Sequence, residues 1–311
     1  MKAIRAHEFG SPDVLVMDDI PIPEPGNDEI LIKVFASSVN PVDWKIIKGV
    51  RKDKYPVHLP LIPGWDVSGV VEKTGADVRD FKQGDEVYGR PDPTRDGAFA
   101  EYIVVKANQI SAKPKSIDHL HAAAVPLAGL TAWQGLFQFG KLQSGQKVLI
   151  HAASGGVGSF AVQFAKWKGA YVIGTTSKEN MSFVKELGAD EVIDYKNERF
   201  EDQVTNVDLV FDTIGGETQE RSIKVIKPGG KLITTLKPEF PEEAKEKDID
   251  LEGFSAQSYP KDLKQIAALI DEGMVKPAVT RIMPIEQARE AEKLNAEGHT
   301  RGKIVIRVAL N

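Results

Sequence analysis

The chain contains no cysteine among its 311 residues. Disulfides, thiolate nucleophiles and zinc sites built on cysteine are therefore excluded. Aromatic residues make up only 7% of the chain, and they form no stripe interleaved with basic residues of the kind that binds nucleic acid. The formal net charge of −5 at pH 7 also disfavours a polyphosphate partner. We therefore expect no nucleic-acid partner.

Long apolar runs are missing as well. Residues 1–8 are charged and alternate in polarity, without the apolar core of a secretion signal. The most apolar stretch, residues 148–165, is broken by a glycine turn, which argues against a membrane span. The remaining composition, 41% hydrophobic and 27% charged, is typical of a globular protein of one large or two ordinary domains. We expect a cytoplasmic protein with no membrane partner.

A glycine-rich turn lies between a predicted buried strand, residues 147–151, and a predicted helix that begins near Val157. A second predicted strand at 171–175 completes a βαβ unit, which is the context that a dinucleotide fingerprint requires. The spacing is Ala-x-x-Gly-x-x-Gly rather than the standard Gly-x-Gly-x-x-Gly. A tight strand-to-helix turn without a ligand is the alternative interpretation.

The chemistry of a pyrophosphate explains the glycines. A side chain on Gly155 or Gly156 would hold the phosphates away from the backbone, and Gly158 allows the helix to lie close to the sheet. The N–H groups and the positive dipole end at the start of the helix then favour the phosphate charge. We predict that Ser154 and Val157 complete this cofactor-binding turn.

The end of the second strand indicates which dinucleotide binds. NAD-binding proteins usually carry Asp or Glu there, about 20 residues after the glycines. This chain has Thr176, Ser177 and Lys178 instead, and hydroxyls with an ammonium suit a 2′-phosphate. Glu179 is one residue further, in the predicted first turn of the next helix. We predict NADPH as the cofactor; a solvated lysine is the alternative for Lys178.

Before residue 120 the pattern predicts strands and turns rather than helices, and many short strands suggest a compact β-barrel-like domain. These predicted strands are residues 3–6, 14–17, 29–35, 67–72, 86–88 and 97–105. From about residue 118, strands alternate with helices, which predicts a doubly wound α/β sheet with its ligand at the carboxyl ends of the strands. The helices predicted there are 122–139, interrupted by Pro126 and Gly129, then 178–187 and 218–226, and the strands are 191–194, 207–212 and 230–235. Helices at 261–272 and 285–294 and a strand at 302–308 follow.

Seven short motifs occur in an order that resembles a known superfamily. They lie at residues 40–43, 63–71, 84–88, 97–102, 129–133, 227–230 and 302–305. With them the chain resembles the medium-chain dehydrogenases/reductases, specifically the zinc-independent quinone oxidoreductase branch that includes zeta-crystallin. The resemblance implies a GroES-like β-barrel catalytic domain at 1–120 plus 260–311, a Rossmann NADP-binding domain at 121–259, and a homodimer.

Alcohol dehydrogenases of the same superfamily bind catalytic zinc, and this chain departs from them. A cysteine stands in those enzymes where Asn40 is found, and a histidine where Trp65 is found. Asp66 alone cannot hold the metal. The histidines His58, His119, His121 and His151 do not restore a ligand set by spacing, so we interpret them as ordinary loop or strand residues. We expect no bound metal.

Without a Lewis acid, alcohol oxidation loses its means of stabilising an alkoxide, whereas reduction of a conjugated acceptor needs less help. The resemblance therefore implies NADPH-dependent reduction of a quinone or an α,β-unsaturated carbonyl. Two alternatives remain. One is an enoyl-thioester reductase, for which Arg51, Lys52 and Lys54 would bind the carrier phosphates. The other is a non-catalytic protein that senses NADPH or associates with RNA.

The resemblance also implies which residues act. Asn40 and Asp43 would lie beside the nicotinamide, although Asn-Pro followed by Asp is also an ordinary turn. Tyr55, in a Tyr-Pro pair, is the candidate proton donor, with solvent as the default source. Thr131 would contact the carboxamide, or bond to its own helix backbone. The remaining cofactor contacts implied are Ser177, Lys178 and Tyr195 around the 2′-phosphate, and Thr234, Leu236 and Phe254 near the nicotinamide. A half-buried strand-end tyrosine is the alternative for Tyr195.

Overall fold

The computed structural model describes residues 1–50, 54–298 and 300–309. The strands among them are β1 (Lys2–Ala6), β2 (Leu15–Asp19), β3 (Glu29–Ser38), β4 (Val67–Thr74), β5 (Glu86–Gly89), β6 (Tyr102–Lys106), β7 (Ile110–Ala112), β8 (Lys147–Ile150), β9 (Tyr171–Thr176), β10 (Glu191–Asp194), β11 (Val207–Asp212), β12 (Ile226–Thr234), β13 (Asp250–Gly253), β14 (Val279–Pro284) and β15 (Lys303–Arg307). The α-helices are α1 (Pro41–Ile47), α2 (His119–Ala123), α3 (Pro126–Trp133), α4 (Gly156–Trp167), α5 (Met181–Glu186), α6 (Glu217–Ile223), α7 (Pro241–Glu246), α8 (Pro260–Asp271) and α9 (Ala288–Ala296). None of these helices combines the length and the apolar character needed to cross a bilayer.

The chain divides into two compact units. The first unit comprises residues 1–127, 258–273 and 277–311, and the second comprises 128–257 and 274–276. Both units are therefore built from more than one stretch of sequence. The chain leaves the first unit after residue 127 and comes back to it at residue 258.

The first unit is organised around β3, which has three strand partners. Its first half pairs with β6, its last residues pair with β15, and β4 runs along it in antiparallel register. The resulting sheet has the order β14-β15-β3-β4-β5-β7, and β1 and β2 form a separate hairpin. Alternate residues of β3, such as Ile30, Ile32 and Val34, are fully buried in one apolar cluster, so this strand supplies much of the core.

The prediction of no helix before residue 120 is wrong at α1. Asn40 is the residue before the helix, Pro41 opens it, and the Asp43 carboxylate accepts the backbone N–H of Asn40 at 2.7 Å. Proline in the first turn and an acidic side chain three residues after an Asn cap are a helix-start pattern. The interpretation of Asn-Pro-x-Asp as a simple turn missed this pattern.

The predicted strand at 97–105 begins later than expected, at Tyr102. The residues before it are held by a neighbouring loop and by an isolated bridge to β1. The N–H groups of Gly97, Ala98 and Phe99 donate to the carbonyls of Ile62, Gly64 and Pro63, respectively, and Ala100 pairs with Ala3 of β1. A side chain on Gly97 would lie 2.4 Å from the Pro63 carbonyl oxygen, so only glycine permits this approach. The loop of 60–64 thus supplies the hydrogen-bond acceptors for residues 97–99.

The second unit contains a parallel six-stranded sheet in the order β10-β9-β8-β11-β12-β13. Numbered within the unit, this is the order 3-2-1-4-5-6 of the doubly wound dinucleotide-binding, or Rossmann, fold. Its apolar core includes Leu149, Ile173, Val210 and Leu232 from four neighbouring strands. The doubly wound prediction is confirmed.

Helices after residue 118 differ from the predictions in their ends. The helix predicted at 218–226 stops at Ile223, because the chain enters β12 already at Ile226. The predicted segment 122–139 is divided: α2 ends at Ala123, Pro126 begins α3, and Gln134–Phe139 continues α3 as a wider π-helical turn. Pro126 interrupts as predicted, since it starts a new helix. The predicted interruption at Gly129 is wrong, because Gly129 lies within α3.

Candidate active site

The carboxyl ends of the parallel strands collect the predicted cofactor residues along one edge of the second unit. Because parallel strands all end at the same edge, the turn after β8, Ser177 after β9 and Tyr195 after β10 lie on that edge. Thr234 ends β12 and Phe254 follows β13. The sheet topology therefore brings together residues that lie as much as a hundred positions apart in sequence.

The glycine turn is tightly constrained between β8 and α4. Ala152 adopts a positive φ of 50°, which is uncommon for a residue with a side chain. A Cβ on Gly158 would lie 2.1 Å from the Ala152 carbonyl oxygen. Gly158 is thus required by the approach of the helix to the strand end, as the sequence predicts.

Gly155 has a different environment. It precedes α4 with an ordinary φ of −76°, and a Cβ added there would meet only the Ala152 carbonyl oxygen, at 3.3 Å. Neither the backbone conformation nor the packing of the chain demands glycine at this position. Open space in front of the N-terminus of a 12-residue helix is where a phosphate group binds in this fold.

The end of β9 presents hydroxyls to the glycine turn. Thr176 is buried and donates its hydroxyl to the Ser154 hydroxyl at 2.8 Å, which ties the two loops together. Ser177 is 9% exposed and accepts a hydrogen bond from the Asn180 side chain at 3.2 Å. Lys178 is exposed in a short 3₁₀ turn, Lys178–Asn180.

Tyr195 follows β10 and is 47% exposed, with its backbone N–H donated to the Thr176 carbonyl at 3.1 Å. The neighbouring carboxylates are already bound. Asp194 accepts the Asn197 side chain at 2.6 Å, and Glu179 lies 3.4 Å from the Lys196 ammonium. Ser177, Lys178 and Tyr195 therefore lie together at the ends of adjacent strands β9 and β10. Ser177 is hydrogen-bonded to Glu179, whereas the exposed Lys178 and Tyr195 carry donors of the kind that bind a 2′-phosphate.

Asp212, at the end of β11, organises the loop that follows it. Its buried carboxylate accepts the backbone N–H of Ile214 at 2.8 Å and the hydroxyl of Thr234 at 2.9 Å. Thr234 in turn accepts the backbone N–H of Leu236 at 3.1 Å. Leu236 packs beside Gly215, which has a φ of 77°. The sequence analysis missed Asp212, although an acidic residue closing an apolar strand and followed by Gly-Gly is a recognisable pattern.

Phe254 and Thr131 occupy buried positions in the second unit. The Phe254 ring stacks on Phe139 at 4.7 Å between centroids and is 8% exposed. Thr131 is 7% exposed within α3, just before the π-helical turn. A side chain on Gly135 in that turn would lie 2.4 Å from the Phe211 ring, so the turn packs closely against β11.

Asn40 in the first unit belongs to a buried polar network centred on Asp66. The Asp66 carboxylate accepts four donors: the Ser38 hydroxyl at 2.6 Å, the Asn40 amide at 2.7 Å, the Leu127 backbone N–H at 2.7 Å and the Lys303 ammonium at 3.5 Å. Lys303 also donates to the Asn40 carbonyl oxygen at 2.5 Å. The amide of Asn40 is therefore held at both ends, with a fixed orientation.

Asp43 and Glu292 are two further buried carboxyls of the first unit. Glu292 lies on α9, which packs against α1, and both side chains are completely buried. Burial, with the negative charge of Asp66 as a smaller contribution, raises the pKa of Asp43 to about 8. Burial and the neighbouring Asp43 raise the pKa of Glu292 well above its ordinary value. Burial lowers the pKa of Lys303, although Asp66 opposes this shift.

Tyr55 lies in a different environment from the Asn40 network. It packs on an apolar cluster that includes Ile46, Leu61 and Trp65, and the Lys54 ammonium lies 5.6 Å from the centre of its ring. Its phenol lies within electrostatic range of the buried Arg90 guanidinium. Arg51 and Lys52, the other predicted members of a basic carrier site, lie outside the described residues.

Sequence reasoning named Asn40 and Asp43 but missed their partners Lys303 and Glu292. Lys303 is the first residue of β15, the next three residues of the strand are apolar, and its side chain is only 4% exposed. Glu292 occupies a helix position between the buried residues Ala288 and Ala291 on one side and Leu294 on the other. A charged residue on the apolar face of a helix is a pattern that can be recognised from periodicity.

The histidines differ in their environments. His119 begins α2 and is buried against Ser68 at 2.8 Å, while His151, after β8, contacts Thr175 and Ser222. At the surface, Nδ1 of His121 contacts the Asp118 carboxylate. Within the described parts of the chain, no three His, Cys, Asp or Glu side chains are arranged so that they could hold a metal ion.

Comparisons with known proteins agree with this architecture. A family model described as alcohol dehydrogenase GroES-like domain matches residues 26–115, and one described as zinc-binding dehydrogenase matches 187–306. The chain is 37% identical to the chloroplastic NADPH-dependent alkenal/one oxidoreductase of Arabidopsis thaliana, over 98% of this chain and 79% of that protein. It is 34% identical to the chloroplastic quinone-oxidoreductase homolog of Spinacia oleracea, over 98% of each chain.

Solved structures give the same result. The quinone oxidoreductase from Coxiella burnetii superposes with a TM-score of 0.93 at 38% identity, over 99% of each chain. The Escherichia coli quinone oxidoreductase complexed with NADPH superposes with a TM-score of 0.90 at 26% identity, over 99% of this chain and all of that one. The relatives, the sheet order and the absence of cysteine together place the chain: it belongs to the zinc-independent quinone oxidoreductase family of the medium-chain dehydrogenases/reductases.

Proposed function

We propose that this protein is an NADPH-dependent reductase of quinones or α,β-unsaturated carbonyls and that it works without a metal. The observation that carries the proposal is the edge of the parallel sheet, where an open glycine turn and a lysine-containing corner occur together without a free carboxylate. The named relatives, an alkenal/one oxidoreductase and quinone oxidoreductases, support the same reaction class.

The residues of the second unit fit NADPH. The space beside Gly155, at the start of α4, suits the pyrophosphate, because backbone N–H groups and the helix dipole both favour its charge. Ser177, Lys178 and Tyr195 suit the 2′-phosphate. Lys178 supplies the positive charge; of the two nearby carboxylates, Asp194 accepts a hydrogen bond from Asn197 and Glu179 is ion-paired with Lys196.

The nicotinamide end of the cofactor would lie toward the ends of β12 and β13. We propose that Thr234, Leu236 and Phe254 contact it there, and that Thr131 contacts the carboxamide. When bound, NADPH supplies the hydride. The protein then has to orient a flat acceptor, exclude water and donate hydrogen bonds to the oxygen that becomes negative.

Asn40 is the proposed polar contact of the first unit, with Asp43 supporting its position. Its amide is held between Asp66 and Lys303, so it is oriented before any ligand arrives. We assign no proton donor beyond the candidate Tyr55, whose phenol lies near the positive charge of Arg90. Solvent remains the other source of the proton.

The Asp66 environment supports a metal-free reaction. Asp66 directly follows Trp65, where alcohol dehydrogenases carry a zinc ligand, but four donors already occupy its two oxygens. A cation would have to displace the Lys303 ammonium, which occupies the place of a positive ion. We therefore propose that a chelator leaves the turnover of the enzyme unchanged.

The proposal is tested by following NADPH absorbance with purified protein and a panel of acceptors. Quinones and enones should be reduced, whereas a saturated ketone or aldehyde of equal size should not. No turnover of any conjugated acceptor would overturn the proposal. Enoyl thioesters belong in the same panel, because a structure described as the CurK enoyl reductase also superposes, with a TM-score of 0.89 at 27% identity.

We also infer a homodimer in the cytoplasm. Among the described residues β13 pairs with β12 on one side only, so its other edge offers unpaired backbone groups to a second copy. The composition supports the cytoplasmic assignment, because a chain without cysteine gains nothing from an oxidising compartment.

A further inference from the structure

Four ionisable side chains meet in the interior of the first unit, and only one of them is basic. Asp43 comes from α1, Asp66 from the segment before β4, Glu292 from α9 and Lys303 from β15, and none is more than 4% exposed. Three acids with one ammonium would leave two uncompensated negative charges if all were ionised. Buried charges of that kind are too costly to persist.

The contacts indicate which acids are charged. Asp66 accepts four hydrogen bonds, the arrangement of a charged carboxylate, and Lys303 balances it. Asp43 uses one oxygen to accept the Asn40 backbone N–H, but its Oδ1 has no hydrogen-bond partner. Neither oxygen of Glu292 has one either, and the carboxyl lies against that of Asp43. Three of the four oxygens of these neighbouring carboxyls thus lack a donor, and they are satisfied only if the carboxyls carry protons of their own.

We infer that Glu292 is a positioning residue for Asn40: it forms a neutral carboxyl pair with Asp43, and this neutrality leaves Lys303 free to hold the Asn40 amide. If the pair ionised, the new negative charge would compete for the Lys303 ammonium. Lys303 would then shift from the Asn40 carbonyl oxygen toward Asp43. The amide that we propose as a contact for the substrate or cofactor would lose its fixed orientation.

The surrounding charges support this account. The next positive charge is that of Arg90, which is itself buried and lies within the fields of Asp43 and Asp66. Burial lowers the pKa of Arg90 and of Lys303, and the neighbouring acids Asp43 and Asp66 oppose the shift in both cations. Raised pKa values of Asp43 and Glu292, both caused first by burial, agree with protons retained near neutral pH.

The pair is tested first by counting protons, which does not depend on catalysis. The unfolded chain ionises both carboxyls at about pH 7, so global unfolding in guanidinium should release their protons. A pH-indicator dye in weakly buffered solution measures the release. Glu292→Gln should release about one proton fewer than the parent protein, and so should Asp43→Asn. The exposed Glu220→Gln serves as the matched control and should leave the count unchanged.

An unchanged count in either buried variant overturns the inference. If Glu292→Gln does not fold, the Asp43→Asn count decides alone. The proton count tests the neutral carboxyl pair even if the protein is not a reductase.

The positioning role rests on the proposed function and has its own readout. Turnover of the parent should fall as pH rises through about 8, because the pair ionises and Lys303 leaves Asn40. This alkaline fall should be absent in Asp43→Asn and present in Glu220→Gln. At neutral pH Glu292→Gln should keep kcat within about twofold, while Glu292→Leu, which removes the partner of Asp43, should lower kcat about tenfold, measured at a temperature at which both variants are folded. Equal kcat in the Gln and Leu variants would show a purely structural role.

Discussion

At the scale of single residues, His151 shows how a buried side chain can be fixed in one protonation state. Its Nε2 contacts the Ser222 hydroxyl at 2.8 Å, and its Nδ1 contacts the Thr175 hydroxyl at 3.0 Å. Ser222 donates its own proton to the Thr218 carbonyl, so Nε2 must be the protonated nitrogen. Burial lowers the pKa of His151 to about 4.

The lowered pKa of His151 predicts that acid destabilises the folded protein. The unfolded chain takes up a proton on His151 below about pH 6.5, but the folded chain resists protonation until about pH 4. The free energy of unfolding that depends on His151 is therefore fully present above pH 6.5 and is lost as the pH falls toward 4. Between about pH 7 and 4.5 the parent should lose about 2 kcal/mol more stability than His151→Gln. Urea unfolding at both pH values measures the difference; parallel losses would contradict the prediction.

Lys178 is predicted to distinguish NADPH from NADH. A hydrogen bond to a charged group contributes about 1.5–3 kcal/mol, so Lys178→Gln should raise the KM for NADPH about tenfold or more. The KM for NADH should stay the same, because that cofactor lacks the 2′-phosphate. Lys224→Gln, an exposed lysine after α6, is the control and should change neither value. Equal changes for both cofactors would assign Lys178 a general structural effect instead.

At the scale of secondary structure, two glycines of the same turn serve different purposes. Gly158 is required by packing, since a Cβ would lie 2.1 Å from the Ala152 carbonyl oxygen. Gly155→Ala should change stability by less than about 1 kcal/mol, whereas Gly158→Ala should cost about 1–3 kcal/mol or more.

Although Gly155→Ala should have the smaller effect on stability, we expect it to weaken the binding of NADPH. Because the added methyl group of Gly155→Ala would enter the space proposed for the pyrophosphate, the Kd for NADPH should rise about tenfold, equivalent to about 1.4 kcal/mol. Calorimetric titration of the folded variant measures it. Unimpaired binding by Gly155→Ala would remove the proposed phosphate position.

The regular elements predicted from the sequence agree with the structure where burial alone determines the choice of residue. The apolar strands β8, β9 and β11 and the helix α4 follow from periodicity, because burial in a parallel sheet leaves little choice of residue. Position 97 is different, since the contact that excludes a strand there comes from the Pro63 backbone, which a linear pattern cannot show. The partners of Asn40 were missed for the same reason: Lys303 lies 263 residues away from it.

At the scale of the whole molecule, we predict a homodimer. Sedimentation velocity of the purified protein should give about twice the mass of the 34.1 kDa chain. If the pairing uses the free edge of β13, raising the salt concentration should leave the dimer intact, because backbone hydrogen bonds are not screened like surface charges. A monomer at micromolar concentration would contradict the prediction.

The network around Asp66 has a consequence for biosynthesis. Its ammonium comes from β15, while its first acids and its amide come from residues 38–66. During translation Asp43 and Asp66 leave the ribosome without a counter-ion, because Lys303 is synthesised long after them. The first unit is thus expected to mature only after synthesis has passed β15, and nascent chains halted earlier should be substrates for chaperones and proteases.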